Sequence, residues 1–113
     1  MEIHPELFWK SGQPIYRKCG GFARAASVCR QIRGVAKGAW LFLDCGDAIH
    51  GTAVAQWTEG ADLIQTLNAL GLEAMTPGNW EFGFGPEVLR QRTSEMSFPV
   101  LACNVERADT GEL

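Results

Sequence analysis

The sequence predicts an α/β fold with a largely parallel sheet, and two observations carry that prediction. The first is order. Three stretches with helical periodicity alternate with three short apolar runs, the pattern of βα units. The second is the run AWLFLDCGD at residues 39–47, which is continuously apolar, too short for a helix and bounded by glycine. Such a run reads as a strand buried on both faces, as in a parallel sheet.

Residues 1–19, punctuated by Pro5, Gly12 and Pro14, read as an irregular lead-in. GGFARAASVCRQIRG follows, with Phe22, Ala25, Ala26, Cys29 and Ile32 at three- and four-residue steps. This predicts a helix with one apolar face, carrying Arg24, Arg30 and Arg33 elsewhere and ending near Gly34 and Gly38. After the 39–47 strand, TEGADLIQTLNALG repeats the helical period through Leu63, Ile64, Leu67 and Leu70 and stops at Gly71. LEAMT is the next strand. Pro86 then stands where a first helical turn tolerates proline, opening PEVLRQRTSEM, and FPVLACN closes as the third strand.

The bulk composition narrows the function. A chain of 113 residues holds one domain at most, and 46% hydrophobic with 20% charged residues describes an ordinary globular chain. A net charge of −3 argues against a nucleic-acid backbone as partner. No apolar run approaches the roughly 20 residues of a membrane span, and the N-terminal MEIHPELFWK shows no signal-peptide pattern. Cys19, Cys29, Cys45 and Cys103 are too widely spaced for a zinc knuckle or a C-x-x-C redox pair. They read as small buried thiols, with a disulfide left open.

Each strand ends in polar residues: Asp44 and Asp47 after the first, Gly78 and Asn79 after the second, Asn104 after the third. Ligands of open α/β sheets bind at the carboxyl ends of strands. Two carboxylates and two carboxamides meeting there would make hard oxygen ligands for divalent cations. Taken singly, each residue has a plainer reading. Asp44 and Asp47 are also turn or cap residues, and Asn79 after a glycine is also a turn residue. His4 and His50 are lone histidines, and Trp80, Phe82 and Phe84 read as packing rather than a substrate platform. Their joint placement at strand ends is what points to a site.

Three motifs, in order, carry a resemblance: LDCGDAIHGT, NALGLEAMTPGNWEFGFG and FPVLACNV. Together they resemble the calcineurin-like metallophosphoesterases, in the 5′-nucleotidase branch. HPELFW with GGFARAA is similar to that branch's first helix. The resemblance implies a four-layer α-β-β-α sandwich and a hydrolase using two divalent metal ions such as Mn or Zn. Its substrate would be a nucleotide or another small phosphoester. Asp47 matches the aspartate that bridges both metals and Asn79 a carboxamide ligand, while Asp44 lies one shell further out. Glu81 matches an acidic residue that, in the family, orients a neighbouring histidine. That histidine is replaced here by Trp80, whose indole donates a hydrogen bond but does not titrate. Tryptophan in this slot resembles thiosulfohydrolase-like relatives, which implies a sulfur-ester hydrolase as the alternative.

The family also begins with Asp-x-His and adds later histidine motifs, and neither occurs in residues 1–113. The expectation is therefore a partial metallophosphoesterase catalytic domain, inactive alone, which needs missing parts of its own domain or a partner chain. A non-catalytic truncated interaction module is the other expectation. Relatives of this kind are often periplasmic or secreted, and this sequence leaves the compartment unknown.

Overall fold

The computed structural model describes residues 3–111. They form a mixed α/β chain in two compact units, divided between Trp40 and Leu41.

The first unit pairs β1 (His4–Lys10) antiparallel with β2 (Gln13–Cys19) and continues into α1 (Phe22–Val35). The predicted irregular lead-in and first-helix likeness of HPELFW are thus replaced by a hairpin. Ser11 and Gly12 form its two-residue turn, with φ of 52° and 76°. Two left-handed central residues match the right-handed twist of the flanking strands. Pro5 and Pro14 suggested a break, yet a two-stranded ribbon consists only of edges, where proline costs no ladder bond. Leu7 faces Tyr16 and Trp9 faces Pro14 across the ribbon, and these rings stand exposed.

Helix α1 has the predicted apolar face, but a shallow one. Phe22, Ala25, Ala26 and Cys29 are half-buried, whereas Ile32 is exposed. The helix runs through Gly34 to Val35 and closes with the Ala36 N–H on the Ile32 carbonyl at 2.9 Å.

The second unit contains β3 (Leu43–Asp44), α2 (Ala53–Thr58), α3 (Ala61–Leu70), β4 (Ala74–Met75), a 3-10 turn (Asn79–Phe82) and α4 (Pro86–Glu95). β3 pairs parallel with β4, and Met75 bridges in parallel to Val100. All three predicted strands are present, but they are short. The third is reduced to the Val100 bridge, held by Met75 N–H on the Pro99 carbonyl (3.1 Å) and Leu101 N–H on the Met75 carbonyl (2.8 Å).

The 39–47 run is not buried on both faces. Phe42 and Asp44 turn inward and are half-buried, while Leu41 and Leu43 alternate outward, Leu43 at 56% exposure. Behind the inner face lies the core, built on Ile49, Ala55, Leu63, Ile64, Leu67, Leu72, Met75 and Phe98. Leu63, Ile64 and Leu67 of α3 occupy the positions their spacing predicts.

Helix α2 went unread in the sequence. Thr52 Oγ1 caps it by accepting the Ala55 N–H at 2.9 Å. Left-handed Glu59 and Gly60 then separate it from α3, with φ of 50° and 81°. A Cβ on Gly60 would fall 2.8 Å from Ile49 Cβ, so the break is packed tightly against the core. Buried Arg92 of α4 caps the same junction. Its Nε donates to the Glu59 carbonyl at 2.9 Å and its Nη2 to the Thr58 carbonyl at 3.2 Å.

All four cysteines are free. Cys19 and Cys29 are half-buried, but Cys45 and Cys103 are exposed, contrary to the expectation of buried thiols. Both lie on segments leaving the short sheet, where no layer covers them. Among the described residues no helix is long and apolar enough to cross a membrane.

Candidate functional site

Adjacent parallel strands β3 and β4 send their following loops off the same edge. The first loop is residues 44–47 and the second residues 76–79. They are pressed together backbone to backbone at two glycines. A Cβ on Gly46 would overlap Gly78 N and stand 2.6 Å from the Thr76 carbonyl oxygen. One on Gly78 would overlap Asp47 Oδ1 and stand 2.6 Å from Asp47 N. Only residues without a side chain allow this approach.

Glu81 locks the contact. It is buried at 1% exposure, and its carboxylate accepts backbone N–H groups from both loops. Oε2 takes Gly78 N–H at 2.7 Å and Asp47 N–H at 2.8 Å. Oε1 takes Ala48 N–H at 2.7 Å and Ile49 N–H at 3.4 Å. Four donors satisfy the lone pairs of a buried carboxylate, the arrangement that makes its desolvation tolerable. The side chain expected to orient a neighbouring ring is here a clamp on backbone. The three-residue step from Gly78 to Glu81, opening a helical turn, is a capping-box spacing and could have signalled this.

The clamp fixes Asp47 in a left-handed conformation, φ 58°. Its Oδ1 accepts the Trp80 N–H at 3.0 Å. Among the described residues its other oxygen has no hydrogen-bond partner, and the Asn79 carboxamide has none either. Two oxygen donors on adjoining loops are thus open to a hard cation, and this chemistry suits the ligands. They do not make a complete cage. No group of three or more His, Cys, Asp or Glu side chains placed to hold a metal ion occurs among the described residues. Asp44 Oδ1 accepts the Gly46 N–H at 2.8 Å within its own turn, and Asp44 is half-buried where Asp47 is exposed. Asn104 lies on the exposed tail after Val100, and no hydrogen bond ties it to either loop. Of the predicted quartet, a hydrogen bond joins the Asp47 side chain to the turn that carries Asn79, and among the described residues no side-chain hydrogen bond joins Asp44 or Asn104 to that turn.

Beside the loops lies a cavity of about 300 Å³ lined by His50, Thr52, Gln56, Trp80 and Phe84, with Gly51 and Gly83. Trp80 is 49% exposed and is not a core residue. Its indole stacks on the His50 imidazole, centroids 4.6 Å apart and planes 14° apart. The packing role expected of Trp80 and Phe84 is therefore corrected to cavity lining, and Phe82 too is exposed. Sequence reading set His50 aside as a lone histidine. Its partner is 30 positions away, so no local pattern marks the pair.

Fold and loops together define an α/β protein with oxygen-bearing side chains at the carboxyl ends of neighbouring parallel strands. No protein-family model matches the chain. It is 38% identical over 100 residues to the 2′,3′-cyclic-nucleotide 2′-phosphodiesterase/3′-nucleotidase of Haemophilus influenzae, covering 81% of this chain and 15% of that protein. It is also 38% identical over 91 residues to the 5′-nucleotidase of Bos taurus, covering 80% of this chain and 16% of that protein. The structure of Haemophilus influenzae NAD nucleotidase (NadN) superposes with a TM-score of 0.86 at 30% identity, over 97% of this chain and 22% of that one. The chain belongs to the 5′-nucleotidase branch of the metallophosphoesterases. It spans about a sixth of the length of the curated relatives it matches, 15% and 16% in these two cases.

Proposed function

We propose that this chain supplies part of the catalytic centre of a metal-dependent phosphoester hydrolase acting on nucleotides or related small phosphate esters. The observation that carries the reading is the junction of the two loops that bear Asp47 and Asn79, held by the Gly46–Gly78 contact and the Glu81 clamp. Asp47 and Asn79 would hold divalent ions such as Mn or Zn, with further ligands from other segments of the domain or from a partner chain. When bound, such ions supply positive charge for a phosphoryl group and an activated water.

The chain's own residues do the positioning. Trp80 N–H holds one oxygen of Asp47 and so turns the other outward. Glu81 neutralises four backbone donors and keeps both loops from relaxing apart. The exposed outward row of Leu41, Leu43 and Leu101 suits a second sheet laid over the first, as a four-layer sandwich requires. A second reading, hydrolysis of a sulfur ester or thiosulfate-type bond, is favoured by Trp80, whose indole at the cavity rim cannot protonate a leaving group.

The test is calorimetric titration of the protein with Mn²⁺ and Zn²⁺, paired with assays, on the full-length protein that contains this chain, of phosphate release from AMP and sulfate release from a thiosulfate ester. Binding is expected to be weak and to disappear in Asp47→Ala and Asn79→Ala. Metal binding that ignores both substitutions, or none at all, would overturn this reading. Sulfate release without phosphate release would select the second reading over the first.

A further inference from the structure

We infer that His50 is the proton donor to the leaving group in the hydrolysis proposed above, an assignment that rests on that reading of the site. Cleaving an alkyl phosphoester leaves an alkoxide, which departs readily only if a proton reaches it in the transition state. The group that supplies it must line the space beside the metal-binding loops. Of the residues around the 300 Å³ cavity, His50 alone carries an imidazole, the side chain most often used for proton transfer in catalysis. Trp80 and Gln56 donate hydrogen bonds without titrating. The Thr52 hydroxyl accepts the Ala55 N–H in capping α2, and an alcohol is too weak an acid to serve as the donor.

The geometry suits the task. The indole of Trp80 covers one face of the imidazole at 4.6 Å and leaves the ring edge, with both nitrogens, uncovered by it. Among the described residues neither nitrogen has a hydrogen-bond partner. A half-buried imidazole with two unused polar atoms on a cavity wall is poorly explained as packing. The ring is also well held. Ile49 before it is fully buried with its N–H on Glu81, and Thr52 two residues later caps α2. Trp80 joins the parts, since its backbone N–H binds Asp47 while its ring binds His50.

In the step itself, hydroxide derived from water forms the new bond to phosphorus. The ester P–O bond breaks, and its electron pair stays on the leaving oxygen. The imidazolium proton of His50 passes to that oxygen, giving alcohol, phosphate and neutral imidazole, which regains a proton from solvent.

The experiment compares two substrates on the full-length protein that contains this chain, as wild type and as His50→Gln, with added Mn²⁺. AMP has an alkoxide leaving group that needs a proton, whereas p-nitrophenyl phosphate releases a stabilised phenolate that does not. The variant is expected to lose about 100-fold in kcat on AMP, the low end for general acid catalysis, and to keep its rate on p-nitrophenyl phosphate. A matched urea midpoint verifies that the variant is folded. If both substrates slow equally, or neither slows, His50 is not the donor while the hydrolase reading stands. If the full-length wild-type protein turns over neither substrate, the hydrolase reading falls, and this assignment with it.

Discussion

Replacing Glu81 with Gln tests whether the clamp holds the two loops together. The carboxylate accepts four N–H groups, two on each oxygen. A carboxamide has one acceptor oxygen, so its NH₂ must turn toward one pair of donors. The cheaper orientation gives up Ala48 and Ile49, because the Ile49 bond is already long at 3.4 Å. One strong charge-assisted bond is then lost, worth about 2 kcal/mol, and a buried donor is left unpaired at about 1–3 kcal/mol more. A total of about 3–5 kcal/mol is a large part of the roughly 5–15 kcal/mol that holds a domain folded. Urea unfolding followed by tryptophan fluorescence reads the effect directly. With a slope of about 2 kcal/mol per molar, the midpoint drops by about 1.5–2.5 M. A drop corresponding to less than about 1 kcal/mol, below a typical charged hydrogen bond, would refute the idea that these bonds carry the junction.

Gly78→Ala leaves the backbone unstrained, since φ is −86°, but drives a methyl group into Asp47. It should cost about 1–3 kcal/mol by overpacking and abolish the Asp47-dependent Mn²⁺ binding measured by calorimetry. Gly34→Ala in α1, where a Cβ meets nothing within 4 Å, should instead stabilise its helix by about 0.5–1 kcal/mol, measured by circular dichroism on heating. Arg92→Leu removes the donors to the Thr58 and Glu59 carbonyls and should cost about 2–3 kcal/mol in thermal unfolding. Lysine at that position should not rescue it, because a single ammonium lacks the planar fork that reaches both carbonyls.

Much of this architecture was legible in the residues. The period through Leu63, Ile64 and Leu67 located α3, and Pro86 located the start of α4. The parallel pairing followed from the order of elements. The glycines before Asp47 and Asn79 marked the two loops that the structure brings into contact. What sequence concealed was non-local or looked like punctuation. Pro5 and Pro14 suggested irregular chain, although a two-stranded ribbon tolerates both. The run at 39–47 looked buried on both sides because nothing in it says that Leu41 and Leu43 face outward. Asn104 reads from sequence like Asn79, and only the absence of a hydrogen bond to either loop, among the described residues, sets it apart. The Glu81 clamp and the His50–Trp80 stack depend on residues about 30 positions apart.

That separation also fixes when the site comes into being during folding. The hairpin closes over Ser11 and Gly12, a two-residue loop of the kind that forms in about 1–10 μs. Each bond from the first loop to Glu81 instead spans 32 to 34 residues. Such contacts repay the entropy of closing a long loop only after that entropy has been lost. β3 must already lie beside β4 before the carboxylate can reach the Asp47 loop. The junction that bears Asp47 and Asn79 is thus a late product of folding, and a chain stalled with its helices formed carries them as two unrelated surface residues.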